Sequence, residues 1–163
     1  FVEVNLSVVQ CMQSNMADKI KEILEEYKID PNRINFEITE TASDYLADAV
    51  LRTMRDITTN GNGFSLDDYG SGYSNLSRVM SFPYRIIKLD KSLVDGLVDK
   101  RSYDIMSQTI SLLKSLGAEI VVEGVEDEEK AKWFSDMGCE YIQGFYYAKP
   151  MTEQEYLDFM KVE

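Results

Sequence analysis

At 163 residues, 44% of them hydrophobic and 28% charged, the chain is long enough for one soluble domain with a real core. A formal net charge of −12 and the lack of any basic run argue against binding long nucleic acids by counterion release. Histidine is absent, which removes Ser-His-Asp and Cys-His catalysis, histidine zinc sites and an imidazole base, and leaves carboxylates, lysine and hard cations.

The first strand spans 1–5 and opens on Phe1 without a methionine, as if cut from something longer. Met16, Ile20, Ile23, Leu24 and Tyr27 have helical spacing, which predicts a helix over 16–27 that ends before Asp30-Pro31. A strand follows at 33–38. Tyr45, Ala49, Met54 and Ile57 predict a helix over 45–57, stopped by Asn60-Gly61. The strand at 63–67 runs into Asp67-Asp68 and a loop broken by Gly70 and Gly72. A short helix at 74–80 is closed by Pro83, then come a strand at 85–89 and a helix at 103–116 closed by Gly117. A strand at 118–123, a helix at 128–137 ending at Gly138, a strand at 140–144 and a helix at 153–160 complete the chain.

Strand and helix alternating at this spacing mean parallel strands with helical crossovers, in an open doubly wound sheet or a (βα)8 barrel. No Gly-rich phosphate loop follows any strand, which weakens the open nucleotide-binding sheet. No linker or low-complexity run interrupts the pattern, so residues 1–163 are expected to form a single domain. No apolar run approaches membrane-spanning length and no signal peptide is visible. Cys11 and Cys139 lie far apart without a partner motif, which suits reducing cytosol.

The chemistry concentrates at strand ends. Asn5, Glu37, Asp67, Asp68, Lys88, Glu123 and Gln143 fall at or near the ends of six successive strands, and in a parallel barrel those ends share one face. Glu37 between Phe36 and Ile38, and Lys88 between Ile87 and Leu89, must be paired or bound when buried. Taken alone, Asp67-Asp68 is more often a surface loop whose aspartates cap the next helix. The two can converge only if the backbone turns between or just after them, and carboxylates about 4 Å apart repel by roughly 4 kcal/mol at an effective dielectric of about 20. A cation offsets that repulsion. Asn5, Glu37, Asp67 and Asp68 could supply oxygen ligands to one or two divalent ions, suited to clamping a phosphodiester. Lys88 and Glu123 would face each other across the site, Glu123 as a base for water and Lys88 holding that water or stabilising phosphorane charge. A buried structural ion pair is the alternative for these two.

Asn5-Leu6-Ser7, Glu37-Ile38-Thr39-Glu40, the run Asp67-Asp68-Tyr69-Gly70-Ser71-Gly72-Tyr73-Ser74, Lys88-Leu89-Asp90, Glu123-Gly124-Val125-Glu126 and Gln143-Gly144-Phe145 occur in the order and spacing of EAL domains, bacterial cyclic di-GMP phosphodiesterases. The chain resembles that family over essentially its whole length. Tyr69, Ser71 and Val122 replace commoner phenylalanine, threonine and alanine, and none of these changes removes a ligand.

The resemblance implies an α/β fold, a TIM-like (βα)8 barrel of the EAL type, incomplete at its N-terminus with about six βα units present. It implies hydrolysis of cyclic di-GMP to linear pGpG with Mg2+ or Mn2+ in the bacterial cytoplasm. By motif position, Asn5, Glu37, Asp67 and Asp68 resemble metal ligands, while Lys88 and Glu123 resemble the residues that position and activate water. Gln143 resembles a supporting amide, and Glu40 the anchor of the loop after the aspartate pair. That loop and helix 74–80 imply a homodimer. No membrane contact is implied for the domain itself, with tethering of a parent protein left open. The glutamate of the name-giving Glu-Ala-Leu motif, a metal ligand, and a substrate-holding arginine lie upstream of the Asn5 strand, so the 163 residues alone are expected to be weak or inactive. A degenerate domain serving as a cyclic di-GMP receptor or a dimerisation module is the alternative.

Overall fold

The computed structural model describes residues 1–39, 48–72, 76–82 and 84–161. Six strands stand side by side in chain order: β1 (Val2–Asn5), β2 (Ile34–Thr39), β3 (Gly63–Tyr69), β4 (Ile86–Leu89), β5 (Glu119–Val122) and β6 (Tyr141–Ile142). Every neighbouring pair is parallel. Such strands need crossovers. The described helices supply them: α1 (Val8–Cys11), α2 (Met16–Glu26), α3 (Asp48–Thr59), α4 (Leu76–Val79), α5 (Lys91–Asp95), α6 (Lys100–Lys114) and α7 (Glu128–Asp136), followed by α8 (Glu153–Phe159).

Alternation along each strand separates two environments. Phe36 and Ile38 of β2, Phe64 and Leu66 of β3, Ile87 and Leu89 of β4, and Ile120 and Val122 of β5 face the helices and join one core. Ile20 and Leu24 of α2, Val50, Met54 and Ile57 of α3, Met106, Ile110 and Leu113 of α6, and Phe134 of α7 cover them. The opposite face carries Glu3, Asn5, Asn35, Glu37, Ser65, Asp67 and Lys88, a polar lining for the concave side. The wall curls strongly: Phe1 and Tyr141 meet edge to face with ring centroids 5.7 Å apart, although β1 and β6 do not pair. This is a TIM-like barrel wall of six parallel strands.

The predicted elements are present with shifted bounds. Helices α1 and α5, of four and five residues, escaped prediction because so short a run shows no 3.6-residue period. Helix α6 starts earlier than the predicted 103, because the Asp99 side chain accepts from the Ser102 N–H at 2.8 Å and caps the turn. Of the predicted helices 45–57 and 74–80, residues 45–47 and 74–75 lie outside the described residues. Strand β6 is only Tyr141–Ile142, and it is held by Glu140, which accepts from the Ile120 N–H at 2.8 Å and pairs with Lys114.

The turn after β6 packs against the chain leaving β5. Val125 N–H donates to Gln143 O and Tyr146 N–H to Val125 O, each at 3.1 Å. A Cβ at Gly144 would lie 1.9 Å from Val125 O and 2.4 Å from Val125 N. Both are backbone atoms already committed to hydrogen bonds. Gly144→Ala is therefore expected to cost about 2–3 kcal/mol and lower Tm by roughly 5–10 °C in a circular dichroism melt. An unchanged Tm would show that this turn yields freely.

Candidate metal and catalytic site

Strand β3 explains how adjacent aspartates share one site. Its register with β4 steps from Leu66↔Ile87 to Tyr69↔Leu89, so β3 carries one extra residue, a bulge at Asp67-Asp68. Asp68 has φ +58°, in the left-handed region that favours glycine. The backbone turns at the second aspartate itself, two residues before Gly70, and the strand continues to Tyr69 instead of ending at 67. This breaks the alternation that would otherwise send the two carboxylates to opposite faces.

Lys88 lies at the centre. Only 5% exposed, its ammonium donates to Glu37 and pairs with Glu123 Oε1 at 2.8 Å and Asp67 Oδ1 at 3.0 Å. Burial alone would lower its pKa. Its bonds to Glu123 and Glu37 and the ion pair with Asp67 outweigh burial and hold it well above the ordinary lysine value. Glu37 and Glu123 are both pushed up, chiefly by burial and against the pull of Lys88. Neighbouring negative charge adds to this: Glu3 and Asp67 act on Glu37, and Asp67 and Asp68 on Glu123. Three carboxylates thus crowd one ammonium.

Hard-cation ligation fits the donors present. Asp67, Asp68 and Glu123 each offer an oxygen within 4.8 Å of the others. The buried Asp67 Oδ1 makes no directed hydrogen bond, its contact with Lys88 being an ion pair only. Carboxylate oxygens in this number suit Mg2+ or Mn2+ over softer ions. Glu123 therefore sits with the aspartate pair, as well as against Lys88.

The other expected residues spread outward. Asn5 ends β1 opposite Glu37 in register and opens on a cleft with Ser7, Glu37 and Thr39. Gln143 donates its backbone N–H to Val122 O at 2.8 Å, and lines a second pocket with Glu123, Phe145 and the Lys91–Glu126 ion pair. Glu40 lies outside the described residues, as do Tyr73, Ser74 and Asn75.

Three residues that motif reading passed over lie beneath the site: Glu3, Asn35 and Ser65. Each stands two positions before a site residue on its own strand, and that spacing was the available signal.

Known proteins give this geometry a context. The cyclic di-GMP phosphodiesterase RocR of Pseudomonas aeruginosa is 37% identical over 145 residues, 88% of this chain and 37% of RocR. The chain therefore spans little more than a third of that relative. Among solved structures, the PaMucR phosphodiesterase in complex with c-di-GMP superposes with a TM-score of 0.84 at 31% identity, over 94% of this chain and 63% of that one. A manganese/c-di-GMP complex of Klebsiella pneumoniae BlrP1 gives 0.83 at 26% identity, over 91% of this chain and 38% of that one. The model of the EAL domain matches residues 1–150, from the strand bearing Asn5 through the turn bearing Phe145, and the chain belongs to the EAL domain family.

Proposed function

We propose that these 163 residues act as a single domain whose parent protein hydrolyses cyclic di-GMP to linear pGpG with Mg2+ or Mn2+, in the bacterial cytoplasm and as a homodimer. The observation that carries this reading is the contact of Lys88 with Glu37, Asp67 and Glu123 beside the grouped oxygens of Asp67, Asp68 and Glu123. Asn5, Glu37, Asp67 and Asp68 are the residues that would hold the metal, with an oxygen of Glu123 grouped beside those of the two aspartates. A divalent ion bound there supplies charge that offsets the carboxylates and polarises the phosphodiester. Glu123, its proton affinity raised by burial, takes the proton of the attacking water, and the Lys88 ammonium orients that water. Gln143 supports the site and Glu40 anchors the loop after the aspartates. Among the described residues no helix is long and apolar enough to cross a membrane.

The test is chromatographic detection of pGpG from cyclic di-GMP with the full-length protein in Mg2+ or Mn2+, abolished by chelation. No pGpG above background overturns the reading, and tight calorimetric binding without turnover identifies a receptor. The 163 residues assayed alone are expected to be weak or inactive, because β1 and β6 leave the wall open.

A further inference from the structure

One polar layer lies directly under the proposed ligands. In the register of β1, β2 and β3, Glu3 stands opposite Asn35, with Asn5, Glu37 and Asp67 two residues further along their strands from Glu3, Asn35 and Ser65. Asn35 and Ser65 are fully buried. Glu3 Oε1 accepts from Asn35 Nδ2 at 3.2 Å and from the Ser65 hydroxyl, and Asn35 Nδ2 also reaches Ser65 Oγ. Gly63 makes room for this amide, since a Cβ there would come within 2.1 Å of Asn35 Oδ1.

Hydrogen bonds hold Oε1 of the Glu3 carboxylate, but they bring it no compensating positive charge. Among the described residues no lysine or arginine pairs with Glu3, and Lys88 is engaged one layer above. Resting on the cation-dependent reading given above, we infer that Glu3 is a positioning residue, held by Asn35 and Ser65, whose negative charge strengthens divalent-cation binding by the carboxylates above it. Two residues along a strand span about 6.8 Å, where a fixed charge still acts strongly across a partly buried interior.

Glu3→Gln isolates the charge, because both hydrogen bonds land on Oε1 and an amide oxygen can accept them. Mn2+ binding to the full-length protein is measured by electron paramagnetic resonance, together with metal-free melting. Glu3→Gln is expected to weaken Mn2+ affinity roughly tenfold while metal-free Tm stays level or rises. Glu3→Asp keeps the charge, and is expected to hold affinity within about threefold of the parent even if its shorter reach lowers Tm. A lowered Tm with unchanged Mn2+ affinity in Glu3→Gln assigns a purely structural role and overturns the inference. Should Glu3→Gln not fold, a Glu3→Asp protein with tenfold weaker affinity overturns it equally. A parent that binds no Mn2+ sinks the cation reading and this inference together, whereas a parent that binds while Glu3→Gln binds equally sinks this inference alone.

Discussion

Lys88→Met is expected to cost about 3–5 kcal/mol in the metal-free protein and to lower its Tm by 10 °C or more. Methionine fills much of the same volume, so packing loss contributes little. The cost is electrostatic: Glu37, Asp67 and Glu123 keep their burial and lose the ammonium that joins them. The pH dependence carries the signature. Glu37 and Glu123 already have folded-state pKa values above the ordinary carboxylate value, and losing Lys88 raises them further. A raised folded-state pKa contributes stability fully present below the unfolded value, about 4.3, and lost as pH rises through the folded one. The variant should therefore melt higher near pH 5 than near pH 8, by more than the parent does. Saturating Mn2+ should recover more Tm in the variant than in the parent, since a cation then replaces the missing charge. A variant melting within 2 °C or so of the parent at both pH values would show that Lys88 does not hold the cluster together.

Glu123→Gln is expected to lower kcat for cyclic di-GMP by roughly 10³-fold with KM little changed, the pattern for loss of a base acting in the transition state. Stability should change little. The amide removes a buried negative charge whose ionisation burial already disfavours, and Lys88 keeps Glu37 and Asp67. Steady-state kinetics with a parallel Mn2+ titration separate two roles for Glu123. A collapse of metal affinity that accounts for the whole rate loss would make it a ligand beside Asp67 and Asp68, consistent with their grouped oxygens, and not the base. A kcat within tenfold of the parent would remove it from the chemistry.

Strand order and crossover type were legible because strands such as Phe36–Ile38 and Ile86–Leu89 interrupt their apolar runs with a single charge, and Gly or Asn-Gly punctuates the helices between them. The inward direction of Glu37 and Lys88 was legible for the same reason, since a charge flanked by residues of the outer core must face the other way. The turn at Asp68 was not. Gly70 and Gly72 advertise conformational freedom, yet the left-handed residue that brings the aspartates together is one of the aspartates, and a bulge leaves no periodic trace. The Glu3–Asn35–Ser65 layer left only its two-residue offset from the site residues as a trace, because its three members are polar residues of different types, far apart in the chain, which the strand register unites. Lys88 as a shared partner of three carboxylates, and not of Glu123 alone, is likewise a fact of curvature. A flat sheet would keep Glu37 and Glu123 well apart.

The left-handed backbone at Asp68 bears on how such a site can decay. Few side chains accept that conformation cheaply; asparagine and glycine do, and most others cost about 1–2 kcal/mol. Both lie one nucleotide change from an aspartate codon. The substitutions that mutation supplies most readily at this position are therefore also those the fold tolerates best, and each discards the carboxylate. On the proposed reading, a change to either residue would remove a ligand while keeping the left-handed turn, so a lineage could retire the chemistry at position 68 and still inherit the barrel wall and its core.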